Sequence, residues 1–287
     1  MFYGFSCQLS VMDRFIGSTV HNENNEITSI KNVYFDPNTP ALYKDGVVVD
    51  ESLLKRNVVR RQSSFNQKIA FPVADKVKPE KLKSHLPGKY IYLGSFGYNH
   101  YGHFITEQIG MIYLALMNDF NEYQLIFHPN LPGHFGSKFN STDDFPKYII
   151  DILSLLNLNL RRFVFLDKPT LIEEVIIPKP SFVLDNYINK NHKEVFERNI
   201  ADTHYNEPTM KFNKVTGVYF SRSKLKRRRA VINESTLEDI FKSRGFLVVY
   251  PESLSAAEQI KLINSVDIIS GCNGSALHSV LFRKNLN

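Results

Sequence analysis

The feature that most constrains this chain is an alternation of short apolar runs with amphipathic segments over residues 217–282. The runs at 217–220, 246–250 and 266–270 have the length and composition of β-strands. The segments between them space their apolar residues as helices do, for example at Leu237, Ile240 and Phe241. Short strands that alternate with helices predict a parallel sheet with crossover helices, so this part of the chain should be α/β.

Start and stop signals mark the helices of this alternation. Asn233 is expected to cap a helix over residues 234–243. A second helix opens at Ser255, where Glu258 three positions on completes a capping box. The turn at residues 271–275 is small and glycine-rich, and it leads into a third helix.

Two polar turns follow strands of this predicted sheet. Ligands of a parallel sheet bind at the carboxyl ends of its strands, so both turns are candidate binding elements. The first turn is basic, with Ser221-Arg222 followed by a Lys/Arg run over residues 224–229. The second is the glycine turn at 271–275, which opens a helix whose N–H groups and dipole favour an anion. Together the two turns predict a diphosphate site.

Other interpretations fit each turn taken alone. A Lys/Arg run is common on a solvated face, and a single Gly-x-x-Gly turn has low specificity. Binding of nucleic acid or another polyanion to residues 227–229 is a third interpretation, although no aromatic stacking motif or RNA- or DNA-binding signature accompanies the run. The occurrence of both turns at the same end of adjacent predicted strands favours phosphate binding.

The same region contains a series of short motifs: Ser221-Arg222, Arg227-Arg228-Arg229, Asn233-Glu234, Val248-Val-Tyr-Pro-Glu252, Glu258-Gln259 and Asp267-Ile-Ile-Ser-Gly271. In this order and spacing the motifs resemble glycosyltransferase family 61. The chain departs from the family's Gly-Pro-His-Gly-Ala-Gly-Leu motif, because Asn273 stands in the histidine position and Ser275-Ala276 replace Ala-Gly. Family members also continue for several elements beyond the Leu-Phe seen here as Leu281-Phe282, so the resemblance implies an incomplete C-terminal domain.

The resemblance implies a nucleotide-sugar-dependent enzyme of the bacterial type that builds capsular or surface polysaccharides. It also implies two Rossmann-like α/β domains that face each other across a cleft, the arrangement called GT-B. The expected reaction transfers a hexosyl, pentosyl or N-acetylhexosaminyl group from a nucleotide-diphosphate donor to a saccharide hydroxyl, with inversion. The residues expected to bind the donor are Ser221, Arg222, Arg227, Arg228, Asn233, Glu252, Asn273, Gly274 and Ser275.

Such a transfer needs a base, charge stabilisation for the departing diphosphate and a surface for the acceptor. Arginines and a helix N-terminus can supply the charge stabilisation, so neither a metal nor another cofactor is expected. The expected partners are the nucleotide sugar and a saccharide or glycolipid acceptor, without nucleic acid. Two alternatives remain open: a non-catalytic relative that acts as a binding scaffold, and a polyanion-binding module that uses residues 227–229.

The candidate base lies in a predicted helix over residues 103–118. Its apolar stripe consists of Ile105, Ile109, Ile112 and Leu116, and at 100° per residue His103 and Glu107 project opposite that stripe, one turn apart. On spacing alone such a pair is more typical of a surface than of a catalytic site. Family 61 members carry Asn-x-x-His-x-x-x-Glu/Asp at the start of a helix, and His103 and Glu107 match its second half, whereas Asn99 lies four residues before His103 instead of three. We hypothesise that His103 is the base and Glu107 orients it, with the reverse assignment left open.

The rest of the chain sets the context. Residues 1–85 predict short strands and turns, and a Pro-rich stretch near Pro180 predicts a boundary between an acceptor-side domain over 1–185 and a nucleotide-sugar domain over 186–287. With 43% apolar residues the chain can form two cores, and its net charge of +6 suits an anionic substrate. Cys7 and Cys272 match no disulfide framework or metal motif. No stretch reaches the roughly 18 to 20 apolar residues of a membrane span, so we expect a cytoplasmic protein that can lie peripherally on the inner face of the membrane.

Overall fold

A computed structural model describes residues 19–21, 26–53, 84–96, 100–129, 139–183, 187–189, 192–199, 215–225, 231–272 and 274–283. The chain divides into two compact units. The first unit comprises Met1–Asn99, Thr106–Asp144 and Arg161–His192, and the second comprises His100–Ile105, Phe145–Leu160 and Lys193–Asn287. Sheets and helices together confirm the predicted α/β class, and the predicted boundary between residues 185 and 186 stays a prediction.

The first unit is built on a mixed sheet. The strands of this unit are β1 (Thr19–His21), β2 (Ile27–Phe35), β3 (Leu42–Lys44), β4 (Val47–Val48), β5 (Ser84–Tyr92), β6 (Gln124–Ile126), β7 (Phe163–Val164), β8 (Thr170–Pro178), β9 (Phe182–Val183) and β10 (Tyr187–Asn189). Within the described residues the large sheet has the order β4-β3-β2-β8-β5-β6-β7, antiparallel from β4 to β8 and parallel from β8 to β7. A small second sheet has the order β1-β10-β9.

Turn chemistry and apolar alternation explain this sheet. Asp45 and Gly46 both have positive φ, of 51° and 80°, in the tight turn between β3 and β4, a conformation that suits Asp and Gly. The inward side chains of the long strands form the core, with Phe35, Tyr92 and Val175 inaccessible to solvent. The predicted β-rich start is therefore confirmed for the part of residues 1–85 that the structure describes.

The segment after β5 is helical but not a single regular α-helix. It consists of α1 (Tyr101–His103), a π-helical turn (Phe104–Gln108), α2 (Ile109–Ile112) and the 3-10 helices Tyr113–Leu116 and Asn118–Phe120. The angular spacing of 100° per residue fails across the wider π turn. Glu107 is only 2% exposed, so it is not a surface residue, although its position opposite the apolar stripe is typical of one. Residues 104–115 are all buried, which leaves this part of the segment no solvated face.

The second unit contains a parallel sheet with the order β12-β11-β13. Its strands are β11 (Gly217–Phe220), β12 (Phe246–Val249) and β13 (Ile268–Gly271). The remaining α-helices of the described chain are α3 (Lys147–Leu155), α4 (His192–Asn199), α5 (Glu234–Ser243) and α6 (Ala256–Asn264). The other 3-10 helices are Asp50–Ser52, Thr142–Asp144, Leu160–Arg162, Pro251–Ser253 and Ser275–Phe282. None of the helices in the described ranges is long and apolar enough to cross a membrane.

Glycine is required at the start of the central strand of this sheet. The register places Gly217 between Phe246 and Ile268 of the neighbouring strands. A Cβ atom on Gly217 would lie 2.8 Å from Cβ of Ile268 and from Cε1 of Phe246, and closer still to the carbonyl oxygen of Ile268. Any larger residue would therefore push the three strands apart.

The helices of this unit follow the predicted signals with two differences. α5 spans the predicted residues, and Ser255 and Glu258 form the predicted capping box at α6. The side chain of Asn233 makes no capping hydrogen bond, so the prediction that it caps α5 is wrong. Its backbone is left-handed, with φ 60° and ψ 30°, instead of the extended conformation of a capping residue. The predicted third helix forms as the 3-10 helix Ser275–Phe282 instead of an α-helix.

Candidate functional site

The site that the sequence predicts lies at the carboxyl end of the parallel sheet in the second unit. β11 continues directly into Ser221, Arg222 and Ser223, which we call the serine turn, and β13 leads to Gly274 and the helix Ser275–Phe282. The two strands are paired along their whole length, with Phe220 opposite Gly271. The predicted adjacency is therefore confirmed for the ends of the two strands, whereas residues 226–229 of the basic run lie outside the described residues.

The guanidinium of Arg222 lies against the glycine turn. A Cβ atom on Gly274 would be 2.9 Å from Nη1 and 3.5 Å from Cζ of Arg222. Gly274 has an extended backbone that any residue can adopt, and a side chain here would displace the Arg222 guanidinium from its present position. A 3-10 helix, like an α-helix, leaves the N–H groups of its first turn without partners inside the helix. The arrangement therefore places a cationic side chain beside the start of a helix, a combination that suits an anion.

A buried carboxylate on α5 holds both hydroxyl groups of the serine turn. Oε1 of Glu238 accepts hydrogen bonds from Oγ of Ser221 at 2.6 Å and from Oγ of Ser223 at 2.5 Å. Its Oε2 accepts from the hydroxyl of Tyr250 at 3.2 Å. The hydrogen bonds from Ser221 and then Ser223 lower the pKa of Glu238 below its ordinary value. Ser221 itself is fully buried, so its hydroxyl stabilises the turn from inside.

A second carboxylate on α5 holds the backbone of the same turn. Oε1 of Glu234 accepts a hydrogen bond from the backbone N–H of Arg222 at 2.8 Å and another from the hydroxyl of Tyr219 at 3.3 Å. The Tyr219 hydroxyl also lies 3.4 Å from Sγ of Cys272, and burial raises the pKa of Tyr219. Glu234 is 2% exposed, and its Oε2 has no hydrogen-bond partner among the described residues.

Neither glutamate was predicted as a site residue, although Glu234 belongs to the Asn233-Glu234 motif. Leu237, Ile240 and Phe241 have helical spacing on one side of α5, yet Ile240 is 41% exposed whereas Glu234 and Glu238 are buried. Their spacing of four residues, which places both on one helix face beside a strand that ends in Ser-Arg-Ser, was the signal that could have identified them.

The third strand of the sheet also ends in polar residues. Tyr250 follows β12, and the exposed Glu252 lies in the 3-10 turn Pro251–Ser253 at the same end of the sheet. Nζ of Lys224 lies 3.7 Å from the centroid of the Tyr250 ring, so it packs on the aromatic face. Of the other residues predicted to bind the donor, Asn233 precedes α5, Ser275 begins the 3-10 helix, and Arg227, Arg228 and Asn273 lie outside the described residues.

His103 lies in the second unit, among other histidines and close to the glycine turn. Its ring centroid is 4.6 Å from that of His100, and its backbone N–H donates to Nδ1 of His100 at 3.4 Å. A Cβ atom on Gly102 would lie 3.0 Å from Oγ of Ser275 and 3.0 Å from Cδ2 of His278, so this segment packs directly on the 275–282 helix. The pKa of His278 is lowered, mainly by desolvation and to a smaller extent by the charge of His103.

A hydrogen-bond network fixes the segment that carries His103. The hydroxyl of Tyr101 lies 2.7 Å from Oγ of Ser279 and 3.4 Å from Oε1 of Gln259. Gln259 in turn donates from Nε2 to the backbone oxygen of Pro251 at 2.9 Å. Burial raises the pKa of Tyr101 to about 12, so its hydroxyl stays protonated near neutral pH. The network joins α1, α6 and the loop after β12.

Glu107 belongs to the first unit. It lines a small pocket there, whose other residues include Ser52, Gly94, Gln108 and Met111. The structure thus assigns His103 and Glu107 to different units, and their proposed pairing stays a prediction. Among the described residues, no group of three or more His, Cys, Asp or Glu side chains could hold a metal ion.

Comparison with known proteins identifies the family. Residues 101–285, well over half of the chain, match the family model of Glycosyltransferase 61. The chain belongs to glycosyltransferase family 61. No curated protein matches the chain. The family assignment establishes a glycosyltransferase, for which a sugar donor and an acceptor are implied in general terms, and the match covers both the His103 segment and the end of the parallel sheet.

Proposed function

We propose that this family 61 glycosyltransferase takes its sugar from a nucleotide-diphosphate donor and transfers it, with inversion, to a hydroxyl of a saccharide or glycolipid acceptor. The observation that carries the proposal is the guanidinium of Arg222 packed against Gly274, at the carboxyl ends of two adjacent parallel strands. A diphosphate held there would have a fixed positive charge and the N–H groups of a helix start beside it. Both stabilise the negative charge that develops on a departing diphosphate.

The proposal assigns the base to the helical segment after β5. His103 follows Gly102, which packs on Ser275 of the helix that would receive the diphosphate. An imidazole suits a general base because its ordinary pKa lies near neutral pH. Glu107 is the second candidate, and the GT-B arrangement, with the acceptor on the first unit, belongs to the same proposal. That arrangement is inferred from the family resemblance, whereas the proposed cytoplasmic location is inferred from the sequence composition.

Calorimetry with nucleoside diphosphates tests the donor site. The diphosphates of uridine, guanosine, cytidine and thymidine are titrated into the protein, and any that binds is titrated into Arg222→Ala. A hydrogen bond to a charged group is worth about 1.5 to 3 kcal/mol, so Arg222→Ala should weaken binding about tenfold or more.

Arg244→Ala is the matched control. Arg244 lies at the end of α5, before β12 and so at the amino end of the same sheet, where its guanidinium donates to the backbone oxygen of Ile240 at 3.4 Å. It should bind the diphosphate as the parent does. Equal affinity of Arg222→Ala and the parent would show that the donor site is misplaced, and a parent that binds none of the four diphosphates would contradict the proposed donor class.

A further inference from the structure

We propose that Glu234 and Glu238 are positioning residues for the donor diphosphate: they hold the serine turn so that the guanidinium of Arg222 stays against Gly274. Neither carboxylate need touch the donor in this role. The inference rests on the proposed function, because it concerns the affinity of the same site. It adds residues that the family motifs do not predict as ligands and explains why two buried acids lie next to a site for an anion.

Three hydrogen-bond donors of the serine turn end on these carboxylates. The hydroxyls of Ser221 and Ser223 both donate to Glu238, and the backbone N–H of Arg222 donates to Glu234. Each residue of the serine turn is therefore bound by a side chain of α5. Hydrogen bonds to a charged acceptor are shorter and stronger than those between neutral groups, so they fix the turn more firmly than water could.

Glu238 is itself held in place by contacts of both carboxylate oxygens. Its Oε1 is used by the serine turn, while Oε2 accepts from the hydroxyl of Tyr250 and lies 3.8 Å from Nζ of Lys242. Tyr250 follows the neighbouring strand β12, so one carboxylate joins the ends of β11 and β12 through α5. A binding group held in place before the ligand arrives loses less freedom on binding, and this raises affinity.

Charge and positioning predict opposite changes in the affinity for the diphosphate. Two carboxylates near a diphosphate repel it, so by charge alone their removal should tighten binding or leave it unchanged. Positioning has the opposite consequence, because a loosened turn no longer directs the Arg222 guanidinium. The direction of the change in affinity therefore distinguishes the two effects.

The experiment uses whichever of the four nucleoside diphosphates binds the parent, and titrates it into Glu238→Ala, Glu238→Asp and Glu238→Gln. Glu238→Ala should bind about tenfold more weakly, the equivalent of one lost charged hydrogen bond. Glu238→Asp keeps the charge but withdraws the acceptor by one methylene, and should lose several-fold. Glu238→Gln keeps an acceptor oxygen in place for the two serines and should recover most of the parental affinity.

Asp239→Asn is the matched control, because Asp239 is the adjacent acid on α5 with a side chain that is 78% exposed and contacts Lys242. It should bind as the parent does. With the donor sugar, the variants of Glu238 should raise KM more than they lower kcat, a split that general loss of folded protein would not produce.

Affinity in Glu238→Asp that equals or exceeds that of the parent would overturn the inference while leaving the donor site intact. That variant keeps both size and charge close to the original, so it remains informative if Glu238→Ala fails to fold. A parent that binds no nucleoside diphosphate would instead overturn the proposed function, and this inference with it.

Discussion

At the scale of single residues, Arg222 is held in two independent ways. Its backbone N–H is bound by Glu234, whereas its guanidinium lies against Gly274. A cation on a long side chain has many rotamers, and fixing them costs free energy on binding. The hydrogen bond to Glu234 fixes the backbone from which the side chain extends, which reduces the freedom that remains to be lost. The serines that flank the arginine fix the turn in the same way, since their hydroxyls donate to the carboxylate of Glu238.

His103 is the residue for which the kinetic prediction is most specific. Removal of a general base commonly lowers the rate by about 10²- to 10⁴-fold, so His103→Ala should lose turnover by that order. Because the side chain is not proposed to touch the diphosphate, calorimetric affinity for the nucleoside diphosphate should stay at the parental value. Glu107→Gln should lose turnover to the same extent if Glu107 is the base, and less if it only orients His103.

His85→Ala is the control for that experiment. His85 is exposed on β5 in the first unit, and it matches no motif of the family. It should retain parental turnover and donor affinity. If His103→Ala were as active as His85→Ala, the assignment of His103 as the base would have to be abandoned.

At the scale of elements, the capping box of α6 makes a local and measurable contribution. Ser255 accepts from the backbone N–H of Glu258, and Oε2 of Glu258 accepts from both the N–H and the hydroxyl of Ser255 at 2.8 Å. Loss of a capping serine costs about 1 kcal/mol, so Ser255→Ala should lower the free energy of unfolding by that amount in urea titrations. α6 carries Gln259, so the loss should also weaken the network around Tyr101.

The same box should make stability depend on pH. The hydrogen bond from the Ser255 backbone, and next that from its hydroxyl, lowers the pKa of Glu258 in the folded state. Because this pKa is lower in the folded state, ionised Glu258 stabilises the fold fully above the unfolded-state pKa of about 4.3. That stabilisation is lost as the pH falls through the folded-state pKa. The parent should therefore exceed Glu258→Gln in free energy of unfolding at neutral pH, with a difference that shrinks on acidification.

Asp239→Asn serves as the exposed acidic control for this comparison, because its carboxylate is on α5 and outside the box. It removes one negative charge from a helix and leaves the box intact. Parallel stability curves for the parent and Glu258→Gln down to acid pH would contradict a role for the charged form of the box.

At the scale of the whole molecule, the local elements were predictable and their assembly was not. Periodicity and capping signals depend on neighbouring residues, which is why α5, α6 and the three parallel strands appear where the sequence predicts them. Spacing alone could not show that Glu107 is buried, because a π turn changes the angular spacing and residues 104–115 around it are all buried. The segment that carries His103 joins the second unit through contacts of Gly102 and Tyr101 with residues more than 150 positions away. Single-sequence patterns carry no information about such contacts.

The charges of the site lead to a final prediction, that turnover needs no divalent cation. A departing diphosphate needs countercharge, which either a metal ion or cationic side chains can provide. At the end of the parallel sheet the buried carboxylate of Glu238 already accepts hydrogen bonds from two serines and a tyrosine, whereas the guanidinium of Arg222 lies at the glycine turn. If the donor diphosphate binds as proposed, the guanidinium of Arg222 would supply this countercharge.

Turnover measured in excess chelator should therefore equal turnover in magnesium or manganese for the parent. Arg222→Ala provides the matched comparison, since a divalent cation bound to the diphosphate can replace part of the lost positive charge. That variant should be slow in chelator and recover part of its rate when magnesium is added, whereas the parent should not respond. If chelator abolished parental turnover and manganese restored it, the countercharge would have to come from a metal, and the role assigned to Arg222 would be limited to binding the donor.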